Sequence, residues 1–408
     1  MKLLHTSDWH LGRMLYGQKR YDEFEKFLSW LTDHLAHEGY DGIIIAGDIF
    51  DTPTPSNRAQ ELYYSFLAEI SRFCRHIIIV GGNHDSPTFL DAPCALLRSL
   101  NIHVVGAVPA RVEDEILTLY NTDNVPEAVV CAVPYLRDRD IRTAAEAGED
   151  DTELLRRRAV SAHYEGVIAK AEAVRKKAGP AVPLIVTGHL FTAGGATVDG
   201  DGVRELYVGS LDRVSGDIFP DFVDYVALGH LHVPQTVQQK ERVRYSGSPL
   251  AMGFNEAQQK KQILSLTFSP GDSRPQISSV SVPVFQRLVR ISGDLGHIQN
   301  ILTELQEEKS SAWVEVEYTG DEIIHNLQDE IDAVCAGTRP RIIRIKNRTF
   351  VQSIIPPEES ESLEELSPAD VFEKCLAEND ISEKQQNILR RHYMQVVQDI
   401  YEEDTQRE

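Results

Sequence analysis

Gly42-Ile43-Ile44-Ile45-Ala46-Gly47-Asp48 is the stretch on which the fold turns. An unbroken apolar run rich in β-branched side chains reads as a buried strand, and the glycine after it ends the run beside a carboxylate. Upstream, Lys2–Thr6 has the same character, and Tyr21, Phe24, Leu28, Leu31 and Leu35 recur at helical spacing between the two. Downstream, Leu62, Phe66 and Ile70 mark a second helix, and His76–Val80 is a third apolar strand. This βαβαβ order predicts parallel strands with helices packed on them.

Further along, residues 128–133 read as a strand and residues 152–177 as a long, charged surface helix. Residues 184–187 and 225–228 supply two more strands, each ending in Gly-His. Strand-like runs at 263–268 and 277–282 follow without clear helices between them. The expected fold is α/β, a two-layered β-sheet sandwich flanked by helices, over residues 1–283.

Pro283 opens a different unit. Strand patterns at 285–291, 313–318 and 341–346 alternate with helix patterns at 298–305 and 323–334, a small α/β domain over 284–350. Pro356-Pro357 and the acidic run that follows make a stiff linker, 351–366. Ser367-Pro368-Ala369-Asp370 is a helix start, with serine as cap and proline in the first turn. A second helix carries Leu389, Tyr393, Val396 and Ile400 on one stripe. The helix pair at 367–408 cannot bury its apolar faces alone; it docks back on the body or waits for a partner protein.

At 408 residues the chain has room for two or three domains, and its 42% hydrophobic and 25% charged content places it among ordinary globular proteins. No apolar run approaches the roughly 18 residues that span a bilayer. The first strand runs straight into Asp8, so a cleaved leader is not expected here. Five scattered cysteines without a C-x-x-C pair read as reduced thiols of a cytosolic protein rather than a disulfide frame or zinc cage. The net charge of −22 argues against a protein that coats DNA with its own surface. The charge is uneven, however: from Glu358 onward 15 acidic stand against 5 basic residues, a balance of −10.

Chemistry-bearing residues gather where the strands end. Asp8-Trp9-His10 follows the first strand, Gly47-Asp48 the second and Gly82-Asn83-His84-Asp85 the third, while Gly188-His189 and Gly229-His230-Leu231-His232 follow the later two. Loops at strand ends are where an open α/β sheet holds its ligands. Any one motif has a bland reading: a turn aspartate, a capping residue, a core histidine. Asparagine in Gly-Asn-His-Asp is harder to explain by packing, and the i, i+2 spacing of His230 and His232 puts both imidazoles on one side of an extended chain. Together the set predicts a dinuclear site for phosphate-ester hydrolysis, with Asp48 bridging two cations. Imidazole with hard oxygens and no sulfur suits two Mn²⁺, with Mg²⁺ or Fe²⁺ less favoured. His84, beside Asn83, would face the substrate and stabilise charge or protonate the leaving oxygen, and Asp85 would fix the loop.

These motifs resemble the calcineurin-like metallophosphoesterases, and longer runs resemble the SbcD branch, the nuclease subunits of SbcCD complexes. The branch-specific runs are His5-Thr6-Ser7-Asp8-Trp9-His10-Leu11-Gly12, Gly47-Asp48-Ile49-Phe50-Asp51, the run from Arg204 to Asp212, Asp224 to His232, and Tyr245-Ser246-Gly247-Ser248-Pro249. The resemblance implies one metal held by Asp8, His10, Asp48 and His232, a second by Asp48, Asn83, His189 and His230, and His84 as the catalytic histidine. It also implies ATP-dependent double-strand exonuclease and single-strand or hairpin endonuclease activity in DNA replication, recombination and repair. A homodimer within a heterotetramer, bound through the helix pair to the coiled-coil base of the SbcC ATPase, is implied as well. The setting would be cytoplasmic and nucleoid-associated, with no membrane.

The resemblance implies that the position of Asp51 is often histidine in archaeal and eukaryotic relatives; Asp51 would orient His84 and stabilise its cationic form, or is a plain aspartate approaching the next helix. Arg13, Lys19, Arg20, Arg137, Arg139 and Arg142 are candidate DNA contacts or a solvated face. The small domain would cap the site and help select DNA. The rival readings are a small-molecule phosphodiesterase or phosphatase with the same metal site, and a non-catalytic scaffold. No Walker-type run occurs, so any ATP dependence must come from another subunit.

Overall fold

A computed structural model describes residues 1–141, 152–192, 214–322, 324, 326–335 and 340–347. The linker, the C-terminal helix pair, Arg142, the side chain of Arg139 and the run from Arg204 to Asp212 lie outside the described residues.

Two six-stranded sheets dominate. The first runs in the order Gln276–Ser281, Gln262–Thr267, Lys2–Thr6, Gly42–Ala46, His76–Val80, Ile102–Val105. Its last four strands are parallel, and the Gln262–Thr267 strand pairs antiparallel to Lys2–Thr6. The second runs in the order Gln235–Val237, Lys240–Tyr245, Tyr225–Gly229, Leu184–His189, Pro126–Ala132, Ile116–Tyr120, parallel in its four central strands with an antiparallel strand at each edge.

The period of two in the strands decides which layer each side chain joins. Ile44, Ile78 and Val80 of the first sheet meet Ala128, Val130, Ala132, Ile185 and Ala227 of the second in a shared inner core. Ile43, Ile45, Ile77 and Ile79 point the other way, onto the helices Tyr21–His37 and Asn57–Ile70. Val129, Cys131, Val186 and Val226 do the same against Thr152–Ala178. The result is four layers, helix, sheet, sheet, helix. Burying each such aliphatic side chain contributes about 1.5–3 kcal/mol before entropy is counted.

The Thr152–Ala178 helix departs from its expected surface character. Tyr164, Val167, Ile168 and Ala171 are buried, so its charged faces frame a core stripe. Four short strands were not legible. Ile102–Val105 has four residues, too few for a period; Ile116–Tyr120 and Gln235–Val237 are edge strands, and Lys240–Tyr245 carries mostly charged and polar side chains.

By packing, the chain divides into two compact units. Of the described residues, those within Met1–Arg290, Leu305–Glu315 and Gly337–Arg344 form the first, and those within Ile291–Glu304, Val316–Ala336 and 345–347 form the second. The strands Leu288–Gly293, Trp313–Tyr318 and Arg341–Asn347 make a three-stranded sheet in that order, with helices at Leu295–Glu307 and Leu327–Cys335. The sequence boundary falls after residue 283; the first unit continues to Arg290. No helix among the described residues is long and apolar enough to cross a membrane. Cys74, Cys94 and Cys131 are free thiols, and burial raises each above its ordinary range.

Candidate metal centre

Parallel strands deliver the site, because their C-terminal ends all open on one edge of the sandwich. Lys2–Thr6 leads to Asp8 and His10, Gly42–Ala46 to Asp48 and His76–Val80 to Asn83 in the first sheet. Leu184–His189 brings His189, and Tyr225–Gly229 brings His230 and His232, in the second. The loops are stitched together: Asp8 N donates to Gly47 O at 3.0 Å and His10 N to Asp48 O at 3.0 Å. His230 N donates to Asp8 Oδ1 at 2.9 Å, which joins the two sheets at the site.

Four of these residues hold left-handed backbone that non-glycine residues rarely adopt: Asp8 at φ 55°, His10 at 49°, Asp48 at 51° and His230 at 105°. Such conformations cost about 1–3 kcal/mol each and persist only where the surroundings enforce them. Trp9 supplies part of that enforcement. Its ring is buried edge-on against Phe27 and Phe66, and its Nε1 donates to Thr6 Oγ1 at 3.0 Å, which pins the turn between Asp8 and His10. Gly229 answers a different need, since a Cβ there would stand 1.8 Å from Ala46 O.

The seven expected ligands converge. His10 Nε2 and His232 Nε2 face one another at 3.1 Å, and Asp8, His10 and His232 form one group that could hold an ion. Asp48, His189 and His230 form another, with His189 Nε2 at 3.2 Å from Asp48 Oδ2. Asn83 Oδ1 lies 3.0 Å from both His189 Nε2 and His230 Nδ1. Asp48 sits between the groups, its Oδ2 also 3.8 Å from His10 Nε2. The donor set, imidazole nitrogen with carboxylate and amide oxygen, fits divalent cations of the first transition row.

The charges of the site are organised around the buried Asp48. Burial opposes ionisation of Asp48, but the neighbouring His189 outweighs it and holds the carboxyl well below its usual range. Burial and then His189 push His230 down to about 3, which keeps it a neutral donor. His189 itself, against the pull of burial, is raised to about 9 by Asp48.

His84 forms a further group that could hold an ion with His10 and Asp48, its ring 4.8 Å from that of His10 and nearly perpendicular to it. Its N–H donates to Asp48 Oδ1 at 2.9 Å, and its Nδ1 lies 2.8 Å from the backbone carbonyl of Asp51. Asp51 thus touches His84 through its main chain. Its carboxylate goes elsewhere, 3.5 Å from His10 Nδ1 and 3.1 Å from Arg13 Nη1. Asp85 is the fastener of the loop: it accepts from Gly82 N and Phe50 N at 2.9 Å and from Ile49 N at 3.2 Å. Burial, with Asp48 close by, raises its carboxyl to about 6.

The candidate DNA contacts separate. Lys19 is exposed. Arg20 is buried, its Nε 2.7 Å from Glu23 Oε2. Arg13 is occupied by Asp51, and its Nε donates to Met252 O at 3.3 Å. Arg137 braces the metal loop from behind, donating to Asp85 O at 2.8 Å and Gly82 O at 3.4 Å. An arginine in a charged surface-like run gave no sign of that internal role.

Residues without a motif also support the site. Ser7 Oγ donates to Asp8 and lies 2.9 Å from Ser246 Oγ. Glu256, fully buried, places Oε1 3.4 Å from His232 Nδ1 and pairs with Lys261. Burial favours protonation of Glu256, yet His232 and Lys261 hold it down at about 2. Ser246 falls inside a run already singled out; Glu256 has no sequence signal at all.

Comparison with known proteins agrees with this geometry. Residues 1–234 match the calcineurin-like phosphoesterase family, and residues 284–380 match the type 5 capsule protein repressor C-terminal domain. The chain is 34% identical over 397 residues to the SbcD subunit of nuclease SbcCD from Escherichia coli K12, covering 96% of each. It is 37% identical over 263 residues to the SbcD subunit from Rhodobacter capsulatus, 63% of this chain and 64% of that one. With the SbcD subunit from Bacillus subtilis it shares 32% over 330 residues, 78% of each. The chain belongs to the calcineurin-like phosphoesterases and, within them, to the family of SbcD subunits of SbcCD nucleases.

Proposed function

We propose that this chain is the nuclease subunit of an SbcCD-type complex, hydrolysing DNA phosphodiesters with two Mn²⁺. The observation that carries the reading is the convergence of Asp8, His10, Asp48, Asn83, His189, His230 and His232 at the ends of five parallel strands. Asp8, His10, Asp48 and His232 would hold one cation; Asp48, Asn83, His189 and His230 would hold the other. Bound there, divalent cations supply Lewis-acid neutralisation of the phosphoryl oxygens and make a water easier to deprotonate.

The chain's own residues set the geometry. Asp48 fixes the His84 backbone through one oxygen and faces the imidazoles with the other. With Nδ1 of His84 facing the Asp51 carbonyl, Nε2 is the nitrogen left to meet a phosphoryl or leaving oxygen. That suits a residue that stabilises developing charge or returns a proton to the departing sugar oxygen.

The activity would be ATP-dependent double-strand exonuclease and single-strand or hairpin endonuclease, in DNA replication, recombination and repair. ATP dependence would come from an SbcC-type ATPase engaged by residues 367–408, with two copies of this chain in the assembly. The test is incubation of the purified chain with blunt duplex and hairpin DNA, with and without Mn²⁺ and the ATPase, beside a para-nitrophenyl phosphodiester. Metal-dependent DNA cleavage, with duplex degradation stimulated by the ATPase and ATP, is expected. Turnover of the small ester with no action on either DNA would identify a small-molecule phosphodiesterase instead.

A further inference from the structure

Behind each imidazole of the first proposed cation position stands a carboxylate, and behind each carboxylate a fixed positive charge. His10 Nδ1 is 3.5 Å from Asp51 Oδ1, and the same oxygen is 3.1 Å from Arg13 Nη1. His232 Nδ1 is 3.4 Å from Glu256 Oε1, and Glu256 Oε2 pairs with Lys261 Nζ. The two rings turn their Nε2 atoms toward one another at 3.1 Å. Glu256 is further fixed by Met252 N, which donates to Oε2 at 3.0 Å, and Lys261 also donates to Ser248 Oγ at 2.9 Å.

The second position is built differently. His189 Nδ1 lies 2.9 Å from Ala46 O, a neutral carbonyl. His230 is reversed, turning Nδ1 rather than Nε2 inward, 3.0 Å from Asn83 Oδ1. Asn83 itself is a neutral donor, so only Asp48 brings charge to that side.

A carboxylate beside Nδ1 keeps the proton on that nitrogen, fixes the tautomer and makes Nε2 a stronger donor. A backbone carbonyl orients a ring but lends it far less negative charge.

We propose that Asp51 and Glu256 are positioning residues that make the Asp8, His10 and His232 position the tighter of the two, filled first, and leave the Asn83, His189 and His230 position the weaker and exchangeable one. This rests on the two-cation reading above and adds an order of loading to it.

The test is titration of the metal-free full-length chain with Mn²⁺, followed by calorimetry and by electron paramagnetic resonance, with the melting temperature of each metal-free protein measured alongside. Two Mn²⁺ with separable affinities are expected for the wild type. Glu256→Gln and Asp51→Asn should each weaken the tighter constant roughly 10- to 100-fold and leave the weaker one in place. Asn83→Ala should do the reverse. Glu256→Asp, which retains the charge, should recover part of the loss. Equal affinities in the wild type would overturn the proposal. So would an unchanged tighter constant in Asp51→Asn, which decides the matter if the buried Glu256→Gln chain does not fold. A wild-type chain that binds no Mn²⁺ would overturn the two-cation reading itself, whereas two bound ions indifferent to both carboxylates would overturn only the order of loading.

Discussion

Asp48 does two things with its two oxygens: Oδ1 accepts the His84 amide and Oδ2 faces His189 and His10. Asp48→Asn removes the charge that both proposed cation positions would share, so Mn²⁺-dependent cleavage should be abolished. Retained turnover in a nuclease assay would take Asp48 out of the bridge. His84→Gln should behave oppositely, keeping Mn²⁺ binding while stopping hydrolysis; loss of bound metal would make His84 a ligand. At this scale the sequence was most legible where chemistry demands unusual residues in fixed order, as in Gly82-Asn83-His84-Asp85. Glu256 was illegible because a carboxylate that meets the site only through another side chain, here His232, needs no motif, only a position that folding supplies. An arginine paired inside the fold, as Arg20 and Arg137 are, and one reaching for phosphate look alike in one dimension.

The ends of parallel strands and the loops that follow hold the candidate site's side chains, and the fasteners of those loops can be tested. Asp85 binds three amides of two different loops, so Asp85→Asn would set an amide NH₂ against an N–H donor. We expect a loss of about 1–3 kcal/mol, read as a lower melting temperature, together with weaker Mn²⁺ binding. Unchanged melting and binding would show that the loops hold without it. The Thr152–Ala178 helix offers a contrasting case. The Tyr164 hydroxyl is buried without a hydrogen-bond partner among the described residues, so Tyr164→Phe should be neutral or slightly stabilising in a thermal melt. A marked fall would reveal a polar contact that the fold conceals. The continuous isoleucine runs were readable as strands because burial on both faces leaves no polar alternation. The Thr152–Ala178 helix was read as surface because its charges hide the stripe of Tyr164, Val167, Ile168 and Ala171.

At the scale of the whole molecule, Asp41 ties the entrances of two strands in the first sheet. Burial works against ionisation of Asp41, but the Arg75 guanidinium at 2.6 Å and the Lys2 amide at 2.7 Å hold its carboxyl below the ordinary range. A carboxylate with a depressed folded-state value stabilises the fold above its unfolded value of about 4 and loses that contribution as pH falls through the folded value. The melting-temperature gap between wild type and Asp41→Asn should therefore be open at neutral pH and close below about pH 4. A gap independent of pH would refute this account of Asp41. Deletion after Glu365 should leave a folded, metal-binding nuclease that no longer co-purifies with its ATPase; continued binding would move the docking site elsewhere. The sandwich was legible as a whole because five strand patterns each ran into a residue of the candidate metal centre. The central claim is most directly tested by anomalous diffraction from crystals of the chain grown with Mn²⁺. Two peaks roughly 3.5–4 Å apart and bridged by Asp48 are expected; a single peak, or two that do not share Asp48, would contradict it.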